Sequence, residues 1–483
     1  MANGYPLDEK KSGGERGGGA RGEDGRVRFW IGGWGPAQGA ESEGISLVTA
    51  GEAGSPLSGG MLADRGLAAQ AESASWLAAH PSRDIVYAAL EADGRIAAFR
   101  RTGEASLAPL GESVEAGAAV CHIQVAADGT HLVASCWGDG RVVHVPLRSD
   151  GSLGAPTTGA AAADPYAVAR EPDLADVRDG EGTVDAGELL AQGATPGDIA
   201  SLLTERAPDW SGAMDLRALV DGDADPSRIA SLLAGGEADD GLAGLLAALG
   251  QADADPFDDP AVRGILAAVR ERDMLVDAAP ASSEPRPSRA HCAVALPGGR
   301  VATTDLGFDL VRIWRTSPRG LVLDHEVVLP FGVGPRHLLH HPSGHLHVVT
   351  EFSCEVFTLA QGPDGRWALR GGIAASPDVR GGDTAAELAR SRDGEVLYAG
   401  IRGSDAIAVL RVRGAGETLE RVALVEAGVA IPRHHVVGRD ALLIAGQGSS
   451  EIVSLPLDAR TGVPGRVRHR LPLASPTVLL PTR

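Results

Sequence analysis

The chain has 483 residues, room for two to four ordinary domains or for one large repeat architecture with an extra segment. Apolar residues make up 43%, which suits a globular core and excludes wholesale disorder, and no run of about 18 apolar residues supplies a transmembrane helix. The net charge of −20 argues against nucleic acid and anionic membrane as partners, since both select basic patches.

Residues 1–26 are Gly-rich and charged and lack an apolar h-region, so they read as a disordered tail without an export signal. A cytoplasmic location is the expectation. Cys121, Cys136, Cys292 and Cys354 show no CxxC spacing and are expected as reduced, buried thiols.

From residue 27 a pattern recurs: an apolar run, a turn such as HPSR, ADGT, PSGH or RDGE, a strand-like run, a polar corner, and an alternating strand. The strand pair Val27–Trp34 and Gly44–Ala50 opens the series. Clearer copies follow at Trp76–Phe99 and His122–Val145.

Residues 157–287 interrupt it. Between Ala161 and Arg286 there are 26 acidic residues against nine arginines, so the rest of the chain carries a net of only −3. This stretch is Ala/Leu-rich, with helix-period apolar residues in Ile199–Leu203, Ile229–Leu233, Leu242–Leu249 and Val262–Val269. Asp179–Leu203 aligns with Asp209–Leu233 at an offset of 30, each reading as helix, turn, helix. The first copy resembles a degenerate EF-hand loop, with Asp179, Glu181, Gly182, Asp185 and Glu188 at their places. Val177 stands where the first carboxylate belongs, and the second copy has Ala218 in place of Glu188. Calcium needs six to eight oxygens, so an acidic helical insertion open to self-association is preferred to a calcium site.

The strand pattern resumes at His291–Trp314, Arg336–Phe357, Glu387–Leu410 and Arg433–Leu455. Outside the insertion its period is about 45–50 residues, the length of one four-stranded propeller blade. The fold expected is therefore all-β, a seven-bladed β-propeller with an α-helical insertion between blades three and four. The domains are 27–156, 157–287 and 288–483, and the early strand is expected to close the ring by pairing with strands after Arg433. A solenoid is the alternative that the period leaves open.

Blade starts in a propeller face a central channel. Here they hold His122, His291, Arg336, Glu387 and Arg433, and the second strands end in Glu91, Trp137, Asp305, Glu351, Arg402 and Gln447. Burying such groups costs several kcal/mol each unless they are paired or bind a ligand.

Gly334–Glu351, Arg289–Trp314, Ala385–Leu410 and Cys121–Leu147 resemble the lactonase-type seven-bladed propellers, which include 6-phosphogluconolactonases and carboxy-cis,cis-muconate cyclases. The resemblance covers about two thirds of the chain and leaves out the acidic stretch. It implies an active site of one His, two Arg and one Glu, which fall by motif on His291, Arg336, Glu351 and Arg402, with His122, Glu387 and Arg433 as substrate-binding neighbours. It further implies opening or closing of a carboxylated or phosphorylated lactone, with no metal or other cofactor. Arginines would clamp the anionic groups and His291 or Glu351 would act as base.

Each residue also has a structural reading. Arg336 and Glu351 would brace one blade, Arg402 would pair with Asp405, and Arg433 and Glu387 would tie blades together. His340, His341, His345 and His347 straddle the HHPSGH turn and read as turn and surface residues rather than metal ligands. Trp137 walls the channel where relatives carry Tyr. A calcium-dependent gluconolactonase-type cage is disfavoured because Asn3 is the sole asparagine. The competing class is a non-catalytic propeller scaffold that docks partners through the insertion.

Overall fold

The computed structural model describes residues 26–167 and 285–482, apart from 53, 54, 56 and 378. The helical repeats and the EF-hand-like loop expected between 177 and 269 lie outside the described residues, as do residues 1–25.

Seven antiparallel sheets each present one strand to a shared axis. The innermost strands, in ring order, are Pro476–Pro481, Ala74–Ala79, Val120–Val125, Ala290–Leu296, Pro335–His340, Thr384–Arg390 and Pro432–Val437. We number the blades 1 to 7 in that order. Each inner strand contacts the next around the ring, and the last contacts the first. Blade 1 is assembled from both ends of the described chain: Val27–Gly33 pairs antiparallel with Pro476–Pro481, Trp30 opposite Leu480. This strand exchange is the closure expected from the sequence, and it ties the two ends of the described chain into one blade. Blade 3 ends in the short strand Thr157–Thr158, so the propeller runs past the boundary expected at 156.

The inner two strands of each blade are sandwiched between neighbouring blades and read as nearly continuous apolar runs. Ala441–Gly446, ALLIAG, is buried at every position. Outer strands have one wet face and alternate, as Thr418–Glu426 does throughout. Trp314 is fully buried at the contact of blades 3 and 4, its Nε1 donating to Thr303 Oγ1 at 2.9 Å.

The HP turns lock neighbouring blades together, which corrects their reading as surface. His341 is buried, and its Nε2 lies 2.7 Å from the Gly394 carbonyl in the next blade's DG turn. A Cβ at Gly394 would sit 2.9 Å from that ring, and one at Gly129 would sit 2.7 Å from the His80 ring. Both glycines also have positive φ, so a side chain there fails twice. His347 is equally buried, with Nδ1 3.1 Å from Thr358 Oγ1.

Every inner strand of blades 2 to 7 pairs with a register shift near its start, as between Pro335 and His337 and between Pro432 and His434. A bulge of this kind interrupts the period of two. Consecutive residues such as Arg336 and His337 are therefore both buried at the axis instead of alternating.

Candidate active site

The mouth where the inner strands begin gathers the charged side chains. Its backbone is pinned first. Asp309 accepts from the Gly332 and Gly334 amides at 2.8 Å each, fixing the entry to blade 5 just ahead of Arg336. Asp405 accepts from the Ile431 amide at 2.8 Å, fixing the entry to blade 7 just ahead of Arg433. Asp405 is thus spent on a turn.

Arg402 pairs with Glu351, not with Asp405. Arg336 Nε donates to Glu351 Oε2 at 2.8 Å within blade 5, and Arg402 Nη2 of blade 6 lies 3.0 Å from Glu351 Oε1. The Arg402 head is further fixed by its Nη2 bond to the Ala385 carbonyl at 3.1 Å. Burial alone raises the Glu351 carboxyl, but Arg336 and Arg402 more than reverse it, so its pKa falls below the ordinary value. A carboxylate clamped this way is a weak proton acceptor.

Arg433 forms the opposite wall. Its guanidinium lies 4.6 Å above the Trp34 ring and donates to Gln447 Oε1 at 3.3 Å. Trp34 Nε1 in turn donates to Glu91 Oε2 at 3.1 Å. Blades 1, 2, 5, 6 and 7 are thereby joined around one opening. Burial, followed by the charge of Arg336, lowers the pKa of Arg433 and brings that of Arg402 down to about 10. The mouth is a strongly cationic field held in check by Glu351.

His291 stands in that field. It is buried, its pKa is pushed well below the ordinary value by burial and then by Arg336, His337 and Arg433, and it is uncharged at neutral pH. Two buried nitrogens here, His291 Nδ1 and Arg336 Nη1, have no hydrogen-bond partner among the described residues. Groups left so at the end of a channel are suited to a ligand's oxygens.

Trp76 forms a floor beneath. Its ring lies 4.2 Å from that of His122, 5.3 Å from His434 and 5.5 Å from His337, so blades 2, 3, 5 and 7 meet at the axis. The structure thus unites Arg336, Glu351, Arg402 and Arg433 with His291, and it sets His122 and Glu387 deeper. His122 Nδ1 accepts from the Ala293 amide at 3.3 Å, with Nε2 3.5 Å from Cys292 Sγ. Glu387 Oε2 lies 2.8 Å from His337 Nδ1, out of line for a hydrogen bond, and 3.6 Å from His434 Nε2. His122 is thus held by the neighbouring inner strand, whereas Glu387 Oε2 has no hydrogen-bond partner among the described residues, and both groups sense the charge of Arg336.

Sequence reasoning missed Trp34, Trp76, His337 and His434. The paired signal was present as the Arg-His dyads of GPRHLL and IPRHHV, but strict alternation assigns only one member of each dyad to the axis. Trp137 is 42% exposed with Arg289 4.2 Å above its ring, so it belongs to the rim. Asp305 accepts from the amides of Arg289, Gly307 and Phe308 and is a turn residue. Among the described residues no three His, Cys, Asp or Glu side chains gather as a metal would need.

A family profile described as a lactonase, 7-bladed beta-propeller, matches residues 29–170 and 267–481. The chain belongs to this family. Among curated relatives, a Lactococcus lactis protein is 31% identical over 193 residues, which cover 37% of this chain and 56% of that protein. A Staphylococcus aureus protein is 30% identical over 178 residues, covering 36% and 52%. The chain thus spans about half the length of these uncharacterised relatives. The fold of this lactonase-family propeller matches a solved Lactobacillus plantarum protein at 17% identity and TM-score 0.62, over 95% of this chain and all of that one. A Bacteroides uniformis protein provisionally assigned as a 6-phosphogluconolactonase matches at 18% and 0.61, over 95% and 100%. The periplasmic gluconolactonase of Pseudomonas aeruginosa matches at 17% and 0.60, over 95% and 99%.

Proposed function

We propose that this lactonase-family propeller opens a small carboxylated or phosphorylated lactone at the arginine-rich mouth of its channel, without a metal ion. The observation that carries the reading is the shared Glu351 carboxylate, which presents Arg336 and Arg402 side by side while leaving Arg336 Nη1 without an acceptor. Arg433, flat on Trp34, holds the substrate's carboxylate or phosphate.

The chemistry assigns one role to each group. Neutral His291 takes a proton from water as the oxygen adds to the lactone carbonyl. The resulting oxyanion lies against Arg336 and Arg402, whose charges are already fixed in place. Collapse breaks the acyl–oxygen bond of the ring, and the departing alkoxide takes the proton back from His291, giving a hydroxy acid. The reverse sequence closes the ring. A bound anion offsets the arginine charge beside His291 and raises its proton affinity toward the working pH. Glu351, with its basicity withdrawn by two guanidiniums, is a positioning residue.

The test is pH-stat hydrolysis over a panel of anionic and neutral lactones, with wild type and Arg336→Ala. The expected result is hydrolysis of an anionic member that falls by about a hundredfold or more in the variant, the order seen when one oxyanion donor is removed. No hydrolysis of any member, or equal rates for both proteins, returns the molecule to the class of non-catalytic scaffolds.

A further inference from the structure

The channel has a second mouth, where the inner strands end, and a cavity of about 660 Å³ lies there. That volume suits a small organic ligand. Blades 3, 4, 5 and 6 line it with the ends of their inner strands, through Gln124, Leu296, His340 and Arg390, and blade 4 adds Arg300 from its second strand. Much of the remaining wall is apolar, formed by Ala126, Ala295, Pro297 and Pro342.

The polar groups on this wall are unevenly satisfied. Asp128 is committed to its own turn, accepting from Thr130 Oγ1 at 2.8 Å and from the Thr130 amide at 3.0 Å. Gln124 Nε2 donates to the Val125 carbonyl at 2.7 Å. The arginines are different. Among the described residues Arg300 Nη1 hydrogen-bonds only a backbone carbonyl, that of Gly365, at 3.2 Å, and its charge is felt by Asp324, which pairs with Arg315 at 3.1 Å. Arg390 Nη1 reaches the carbonyls of Ser391 and Arg392 at 3.2 and 3.3 Å, and its buried Nε has no acceptor among the described residues. Asp393, whose charge Arg390 senses, accepts instead from Ser391 Oγ and the Glu395 amide. Neither guanidinium lies within 4 Å of a carboxylate among the described residues. His340 is held uncharged at neutral pH, its pKa brought down to about 4 by burial, so it adds no positive charge and keeps a ring nitrogen for hydrogen bonding.

Two guanidiniums on separate blades, joined by an apolar wall, describe a ligand with two acidic groups and a hydrocarbon body between them. We propose that the second mouth is a binding site for a small organic dianion of this kind, an aliphatic or aromatic dicarboxylate, with Arg300 and Arg390 each taking one acidic group. The site is separate from the lactone-opening mouth, which uses Arg336, Arg402 and Arg433 above the Trp76 floor.

Calorimetric titration of the full chain with succinate, glutarate, phthalate and inorganic phosphate tests it. At least one dicarboxylate is expected to bind with Kd below about 1 mM, the level of a weak specific ligand. Arg300→Gln and Arg390→Gln should each weaken that dicarboxylate by about tenfold or more, the effect of losing a charge-assisted bond. Arg390→Lys, which keeps the charge but loses the fork, should lie between. A thermal unfolding midpoint within the wild-type range for Arg390→Lys shows that folding is retained. Arg336→Ala, at the other mouth, should leave this dicarboxylate's affinity unchanged. The proposal is overturned if no dicarboxylate binds, if binding survives both Gln variants, or if it is lost in Arg336→Ala instead. It is equally overturned if phosphate binds as tightly as every dicarboxylate, since the apolar wall would then contribute nothing. The readout is binding alone, so the outcome does not depend on lactone hydrolysis.

Discussion

Replacing Glu351 by Gln keeps the size of the side chain and removes the charge that Arg336 and Arg402 share. The Arg336 side chain is 3% exposed, that of Arg402 16% and that of Glu351 19%. Without the carboxylate, two buried guanidiniums face each other, with Arg433 adding to the field. Removing one partner from a buried pair costs about 3–5 kcal/mol. Glu351 is partly wet, so the lower end, about 3 kcal/mol, is expected. For a chain of this size that corresponds to a fall in Tm of roughly 3 °C.

The pH dependence gives a second readout. The folded carboxyl lies below the ordinary 4.5, so its contribution is fully present above that value and is lost as pH falls through the folded value. Urea unfolding from pH 7 down to about 3 should show this loss in wild type and a flatter profile in Glu351→Gln. A double-mutant cycle with Arg402→Gln should return a coupling of about 1 kcal/mol or more. Equal Tm values with parallel pH profiles would show that Glu351 does not hold the two arginines, and the mouth geometry would be refuted.

Four further outcomes are expected. In His291→Gln the rise of kcat/KM with pH should disappear, because the neutral imidazole is the proton acceptor and the wild-type rate falls as pH drops through its lowered pKa; an unchanged profile removes His291 as base. Deleting the chain from Pro476 onward should abolish cooperative unfolding and cause aggregation, since it strips the inner strand from Val27–Gly33; a monomeric truncation with native-like Tm would contradict the closure. Trp76→Ala should cost about 3–5 kcal/mol by opening a cavity under three imidazoles, measurable by urea unfolding, whereas a loss below about 1 kcal/mol would mean Trp76 is no floor. The four thiols, all buried, with Cys136 raised to about 12 and Cys354 to about 11 by burial, should resist a disulfide reagent in the native state and react on unfolding. Rapid native labelling would contradict their burial.

The blade series was legible because the blades repeat the same local demands: an apolar inner strand, a tight turn that in blades 3 to 6 holds a left-handed glycine, an alternating outer strand. The strand that closes the ring was legible too, as the early pair Val27–Trp34 and Gly44–Ala50, too short for a blade by itself, with the strands after Arg433 left to complete it. The family resemblance placed Arg336, Glu351 and Arg402 at one site, and within it Glu351 and Arg402 occupy equivalent corners, the ends of the second strands of neighbouring blades. Equivalence of position survives in sequence even where contacts do not.

Other features waited for three dimensions. A bulge at the start of each inner strand is a property of pairing, so sequence alone could not show that both residues of Arg336-His337 and of Arg433-His434 turn to the axis. The HP histidines looked like surface because their partners, the glycines of the next blade's turn, are some 50 residues away, and burial there depends on how blades stack. The choice of Glu351 over Asp405 as the partner of Arg402 was decided by Asp405 being taken up by the Ile431 amide. Composition and periodicity therefore determined the repeated four-stranded units and their outward polarity by themselves. Which charges meet across the axis was decided by the closed tertiary structure, because those contacts join blades whose separation along the chain carries no local signal.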